Sequence, residues 1–242
     1  MDLLKNYLLV LLANSSKKVG RGKYFRKKLY STKRILSKNF PESNPFSFIQ
    51  IGTNDGISFD FLYHFVNKRN TKGIVVEPVK VYFDELCHNY SDNFNIVKIN
   101  KAIHKELKEA SIFKVEDSQV KNYPDWVKGI ASFQKSHLEK FKILREQDII
   151  EVKVKADTLE NIIEESEILD FDYLQIDTEG YDYNVFEMFD HKRRKPQVIR
   201  AEYINLNKDE KLKFRKKLSV NGYHIFFEGL DIVAVDLKKI KL

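Results

Sequence analysis

The sequence predicts an α/β domain, a doubly wound and mostly parallel sheet ending in an antiparallel hairpin, preceded by an N-terminal helical arm. Three observations carry this. From residue 46 onward, short apolar runs alternate with helical spacings, the signature of parallel strands joined by crossover helices. The first run, Phe48-Ile49-Gln50-Ile51, enters a turn on Gly52 and Gly56, and Ser58–Val66 then reads as a helix. A buried strand, a glycine turn and a helix beneath it form a cofactor site of the nucleotide type. The last two runs are separated only by Glu228-Gly229-Leu230, a connection that fits a hairpin.

The elements follow in order. Residues 1–45 form the arm and residues 46–242 the domain. Strands are expected at Phe46–Ile51, Gly73–Glu77, Asn95–Ile99, Ser111–Val115, Ile150–Lys155, Phe171–Ile176, Gln197–Glu202, Tyr223–Phe227 and Ile232–Asp236. Between them, helices are expected at Phe59–Asn67, Lys80–Asn89, Ser136–Glu146, Leu159–Glu165, Tyr183–Phe189 and Asp209–Asn221. Residues 116–135 follow neither period, and a loop of that length in a compact domain is commonly a lid or a binding loop.

Composition narrows the class. The chain has 242 residues, enough for one full α/β domain with an appendage. Its single cysteine, Cys87, leaves no internal disulfide and no cysteine-based zinc site. Charge is unevenly placed. Of 42 Lys and Arg and 35 Asp and Glu, residues 1–39 hold 11 and one, so the remaining 31 and 34 leave the body at −3. A slightly acidic body is a poor match for a polyanion.

The basic character belongs to the arm. Its apolar run, Leu3-Leu4 and Tyr7 to Leu12, precedes Lys17, Lys18, Arg21, Lys23, Arg26, Lys27, Lys28, Lys33 and Arg34. That run falls short of the roughly 20 residues a membrane span needs. An apolar anchor before a basic cluster suits a segment lying on an anionic membrane surface; a helix packed on the domain or a partner is the other reading. The expected location is cytoplasmic, at the inner membrane surface if residues 1–39 engage lipid.

The glycine turn departs from the dinucleotide fingerprint. Gly52-Thr53-Asn54-Asp55-Gly56 places polar side chains where backbone would approach a pyrophosphate. Such a turn suits a cofactor without phosphates whose polar end is an amino acid, which is S-adenosylmethionine. Glu77, at the tip of the second strand, is placed to accept both ribose hydroxyls. At the tip of a later strand come Asp177, Glu179 and Asp182. Asp177 and Glu179 read as functional, Asp182 as a solvated or helix-capping residue.

Phe48–Gly56, Val75–Pro78 and Asp172–Tyr181 together resemble the FkbM-type family of S-adenosylmethionine-dependent methyltransferases, which have the class I Rossmann-like fold. The resemblance extends through Asn100-Lys101-Ala102-Ile103, Gly129–Phe133, Ala156–Leu159 and Ala201-Glu202. It covers about residues 46–236 and leaves the arm unexplained. It implies that Gly52, Thr53, Asn54, Asp55 and Gly56 line the methionine part of the cofactor and that Glu77 holds the ribose. Pro78, Asn100 and Ala102 would lie by the adenine, and Asp177 would face the reacting centre or the cofactor amine. One departure is Gln50-Ile51-Gly52-Thr53 where Asp-Val-Gly-Ala is more usual.

The resemblance implies O-methylation of a sugar, a glycan or a related secondary metabolite. A sugar hydroxyl needs a base to take its proton. His137, at the start of the helix after the irregular loop, Asp177 and Glu179 are the candidates. A metal is not expected; a bound cation would fall to Asp177, Glu179 and Glu202. Tyr123, Trp126 and Phe133 either stack on a sugar ring or anchor the loop. The run His191–Lys195 reads as a solvated turn. Methylation of nucleic acid is the alternative, against which stand the absence of a Pro-Pro element and the acidic body. A catalytically idle membrane-associated scaffold is a further alternative, which the intact carboxylates and glycine turn oppose.

Overall fold

A computed structural model describes residues 2–16 and 20–242. Its main sheet has seven strands in the order β10-β11-β9-β8-β1-β2-β3. The strands are β1 (Phe46–Ile51), β2 (Thr71–Val76), β3 (Ile96–Ile99), β8 (Tyr173–Ile176), β9 (Val198–Glu202), β10 (His224–Glu228) and β11 (Asp231–Val235). The five from β3 to β9 are parallel; β11 runs antiparallel to β9, and β10 antiparallel to β11. The expected hairpin is present, with β11 inserted between β9 and its partner β10.

Period-two alternation explains how the sheet is covered. Ile49, Ile51, Leu174, Ile176 and Ile199 face one way, against α8 (Leu159–Glu165), α9 (Asp182–Met188) and α10 (Lys208–Val220). Phe46, Phe48, Tyr173, Val198 and Val233 face the other way. That side is closed by α3 (Thr32–Asn39), α4 (Leu62–Val66) and α5 (Lys80–Asn89).

The sequence predicts one sheet, and the structure has two. Ser111–Val115 and Ile150–Lys155 leave the main sheet. Within β5 (Glu109–Val115) and β7 (Ile149–Asp157) they pair antiparallel with each other. Flanked by β4 (Ala102–Ile103) and β6 (Ala131–Ser132), they form a four-stranded sheet. Alternation marks a strand but does not name its partner.

Two expected helices are shorter. The segment after the glycine turn is helical only over Leu62–Val66, because Asp55 accepts from the amides of Ile57 and Ser58 and Asp60 from that of Leu62. Phe59, at φ 65°, is incompatible with a right-handed helix. The expected Ser136–Glu146 is a single turn, α7 (Lys135–Glu139). The irregular stretch contains α6 (Asp117–Val120) and a 3₁₀ turn at Asp125–Gly129.

The run His191–Lys195 is a turn that is solvated only at Lys192 and Arg193. Arg194 is buried and paired with Glu160. The His191 ring lies between Phe186 and Phe189, and burial lowers its pKa to about 4.

The arm folds as α1 (Asp2–Ser15), α2 (Gly20–Leu29) and α3. Lys17 and Lys18 of the expected basic cluster lie outside the described residues, as does the Arg21 side chain. Ile35 and Leu36 of α3 are fully buried beside Phe46 and Phe48, so α3 is part of the core. Asn6 pins α1. Its amide donates to the carbonyls of Leu237 at 3.0 Å and Ile240 at 2.6 Å, and its oxygen accepts from the amide of Leu242 at 3.0 Å. Among the described residues, no helix is long and apolar enough to cross a membrane. Asn6→Ala strands three buried backbone groups, so urea unfolding is expected to show a loss of about 1–3 kcal/mol; an unchanged midpoint would mean that the latch carries no stability.

Candidate active site

The strand order reverses between β1 and β8, where chain connections leave in opposite directions and open α/β sheets hold ligands. A cavity of about 560 Å³ opens there, at the carboxyl ends of the strands.

Its floor is set by Gly52. Three donors converge on the Val76 carbonyl: the Gly52 amide at 3.0 Å, the Thr53 amide at 3.2 Å and the Thr53 hydroxyl at 3.1 Å. Gly52 has φ 76°, and a Cβ there would lie 1.6 Å from the Asp177 carbonyl oxygen. Only glycine fits, so the first turn and the tip of β8 are in direct contact. At Gly56, a Cβ would meet Leu86 and Tyr90 of the α5 region at 2.5–2.6 Å; its bareness serves packing, away from the cavity wall.

Glu77 is buried at the next strand tip, where its carboxylate accepts from the amides of Asn54 and Val79, each at 2.8 Å. Burial raises its pKa to about 7, against the pull of those amides. Asn100 donates to the carbonyls of Glu77 at 2.8 Å and Pro78 at 3.0 Å, fixing the backbone that carries Glu77. Pro78 and Ala102 line the cavity, beside Ile112 and Ile130.

Asp55 points elsewhere. Burial opposes its charge, but Lys128 at 2.6 Å and the Ser58 hydroxyl and amide outweigh burial and hold its pKa at about 2. Lys128 belongs to the irregular stretch, and Asn54 donates to its carbonyl at 2.9 Å. Ser132 donates to the Glu179 carbonyl at 2.8 Å. The stretch is therefore latched twice in its second half, at Lys128 to the glycine turn and at Ser132 to the tip of β8. Trp126, Gly129, Ile130, Ala131 and Phe133 from it line the cavity.

Across from the turn stand the carboxylates. Asp177, at the tip of β8, exposes its side chain to the cavity. Burial, and then the charges of Glu179, Asp182 and Glu202, push its pKa well above the ordinary carboxylate range. Glu202 rises to about 8, through burial and the charges of Glu179 and Asp182. Asp182 is fully buried rather than solvated, accepting from the amides of Thr178 and Gly180, and burial raises it to about 7. Carboxylate oxygens of Asp177, Asp182 and Glu202 lie within 4.8 Å of one another, so Asp182 takes the place expected for Glu179 in that cluster.

Glu179 sits at φ 51°. Its carboxylate meets His137 Nε2 at 2.9 Å and the Asn205 amide at 3.3 Å, and Asn205 also donates to Glu202 at 2.8 Å. Glu179 lines the cavity, and His137, only 3% exposed, stands behind it.

Other cavity residues escape a motif reading: Asp60, Gln175, Arg200, Asn205 and Asp231. The available signal was a polar residue inside each of two apolar runs, Gln175 in Tyr-Leu-Gln-Ile and Arg200 in Val-Ile-Arg-Ala. Gln50 completes the set, and its Oε1 is buried with no hydrogen-bond partner.

Sheet order, switch-point cavity and strand-tip carboxylates define a class I, Rossmann-like methyltransferase domain. The methyltransferase FkbM domain matches residues 50–225, and the chain belongs to that family, whose cofactor is S-adenosylmethionine. The structure is similar to an FkbM methyltransferase from Methylobacillus flagellatus KT, with TM-score 0.50 and 12% identity over 97% of this chain. The chain spans 60% of that protein's length. It is also similar to a precorrin-6y C5,15-methyltransferase from Geobacter metallireducens GS-15, with TM-score 0.40, 11% identity, and coverage of 85% of this chain and 90% of that one. A Methanococcus jannaschii fibrillarin pre-rRNA processing protein gives TM-score 0.39 and 12% identity, covering 87% and 75%. No curated protein matches.

The residues present suit the cofactor. The unpartnered Gln50 Oε1, which lines the cavity, is an acceptor for an ammonium group. The raised carboxyls give a pH dependence of definite sign. The folded protein keeps protons on Asp182 and Glu77 to about pH 7 and on Glu202 to about pH 8, whereas the unfolded chain releases them near 3.8 and 4.5. Their contribution to stability is therefore full at acid pH and lost as pH rises through those values. Calorimetry of the ligand-free protein is expected to give a lower Tm at about pH 8 than at about pH 5.5, with a shallower slope in Asp182→Asn; an equal slope in the variant would refute the assignment.

Proposed function

We propose that the protein transfers a methyl group from S-adenosylmethionine to a hydroxyl of a sugar or glycan. The observation that carries this reading is a carboxylate oriented into the cavity, Glu179, held from behind by buried His137 and from the side by Asn205. A hydroxyl acceptor needs such a base, because its own pKa leaves it a poor nucleophile at neutral pH.

When bound, the cofactor supplies a methyl group already activated on a sulfonium. Gly52, Thr53 and Asn54 would hold its methionine end with Gln50 Oε1 on the ammonium, and Glu77 its ribose. Pro78, Ala102, Ile112 and Ile130 would enclose the adenine. Asp177, beside Gly52, faces the positive end and offsets its charge. Glu179 takes the acceptor's proton, and His137, with Nε2 protonated, keeps the receiving carboxylate in place. The latched stretch 116–135 excludes water over both.

Nucleic acid fits this cavity poorly. Asp60, Asp177, Glu179, Glu202 and Asp231 line it, whereas its cations, Lys101 and Arg200, are paired with Asp157 and Asp231. Phosphates would meet like charge.

Calorimetry is expected to show S-adenosylmethionine binding that Glu77→Ala removes. Glu179→Gln is expected to keep that binding and to lower kcat by about 10²-fold or more. Wild-type turnover by Glu179→Gln would assign the base elsewhere.

We also infer that the arm rests on an anionic membrane surface. Leu4, Tyr7, Leu8, Leu11 and Leu12 are 51–69% exposed along α1, on the side away from the Asn6 latch. Exposed Lys23, Lys27 and Lys28 of α2 follow. Apolar and basic surface side by side match an acidic headgroup layer. The Asn6 latch joins α1 to the segment after β11, whose Val235 is level with Val198 at the start of β9. That is the edge of the sheet opposite the cavity. Flotation with vesicles containing phosphatidylglycerol is expected to recover the protein and to lose it in Leu8→Ser/Leu11→Ser; equal flotation of both would remove the membrane contact.

A further inference from the structure

Three neighbouring strands change character in one step. In the row Phe48–Tyr173–Val198 the side chains are apolar, aromatic or aliphatic and buried. Two residues further toward the carboxyl edge, on the same face, the row is Gln50–Gln175–Arg200. Its flanks are Val75 and Val233. Amides and a guanidinium are costly in such a position unless they are partnered.

Most of their capacity is used, and some remains. Gln50 donates to Asp60 Oδ2 at 2.8 Å, and Gln175 donates to the same oxygen. Arg200 Nε and Nη2 both reach Asp231 Oδ2, at 2.7 and 2.6 Å. Because both bonds fall on one oxygen, the Arg200–Asp231 pair retains donor and acceptor positions side by side. Asp60, Gln175, Arg200 and Asp231 all line the cavity.

Above this polar row, at the mouth, stands a strained aromatic. Phe59 has φ 65° and is 61% exposed, and its ring lies 3.5 Å from where a Gly129 side chain would begin. A bulky residue in the left-handed region costs on the order of 1–3 kcal/mol and persists where the surroundings, or a function, hold it. Trp126, 41% exposed, lines the same mouth.

We propose that this part of the cavity, with the Gln175–Asp60 and Arg200–Asp231 pairs as its floor and Phe59 at its mouth, binds the acceptor as an uncharged polyhydroxy ring. Adjacent donor and acceptor groups read neighbouring hydroxyls, and an aromatic face covers the apolar C–H face of such a ring. The excess of carboxylates, with both cations already paired, selects against acidic sugars and phosphates. The inference rests on the methyl-transfer reading above and adds the charge class of the acceptor.

The test uses the full chain with methyl-labelled S-adenosylmethionine. Glycans of the organism that encodes it are separated by anion exchange into neutral and anionic pools, and protein and RNA fractions are run beside them. Label is expected in the neutral pool. Phe59→Gly and Asp231→Asn are each expected to lower kcat/KM on that pool by about tenfold or more, through KM. Calorimetric affinity for the cofactor should be unchanged in both. Phe59→Gly is also expected to raise Tm, since glycine relieves the strain. Label confined to anionic glycans, protein or RNA overturns the subsite and leaves methyl transfer standing. Two variants that transfer to neutral glycans as well as wild type also overturn it. A chain that fails to bind the cofactor removes the methyl-transfer reading and the subsite together.

Discussion

Where β1 ends, the Cα of Gly52 rests against the Asp177 carbonyl, in space that any side chain would fill. The rest of the site depends on this contact. It brings the first turn against the tip of β8, while three hydrogen bonds to the Val76 carbonyl bring it against the tip of β2. Glu77 and Asp177 ride on those two tips. The cavity is the gap left because the chain leaves β1 and β8 in opposite directions, and its width is set by backbone approach.

Electrostatics then defines what the gap accepts. Asp177, Asp182 and Glu202 crowd one side, and burial with mutual repulsion makes each hard to ionise. The arrangement works against the stability of the ligand-free protein near neutral pH and favours a bound cation. A cofactor carrying a sulfonium and an ammonium supplies positive charge where the chain withholds it.

Strain is concentrated in the same place. Among the described residues, four non-glycine residues have positive φ; Asn54, Phe59 and Glu179 line the cavity, and Glu167 does not. Two are held by hydrogen bonds with the 116–135 stretch or its α7 continuation, Asn54 by the Lys128 carbonyl and Glu179 by Ser132 and His137, and the Phe59 ring lies beside Gly129. The segment without periodicity is thus the one that organises the site, tying the cofactor turn to the proposed base.

The sequence by itself determined the main sheet, its closing hairpin, the glycine turn, and the carboxylates at the tips of β2 and β8. These are local properties: alternation, turn chemistry and strand-end position are written in consecutive residues. Tertiary structure alone decided that β5 and β7 form a second sheet, because alternation carries no information about pairing partner. It also decided that Asp55 braces the glycine turn and Asn100 the tip of β2 from outside the cavity, that His137 stands behind Glu179, and that Asp182 holds a turn. Gln50, Gln175 and Arg200 are 25 or more residues apart in sequence. Only the register of three parallel strands places them in one row, and a row built from distant segments has no signature in any one of them.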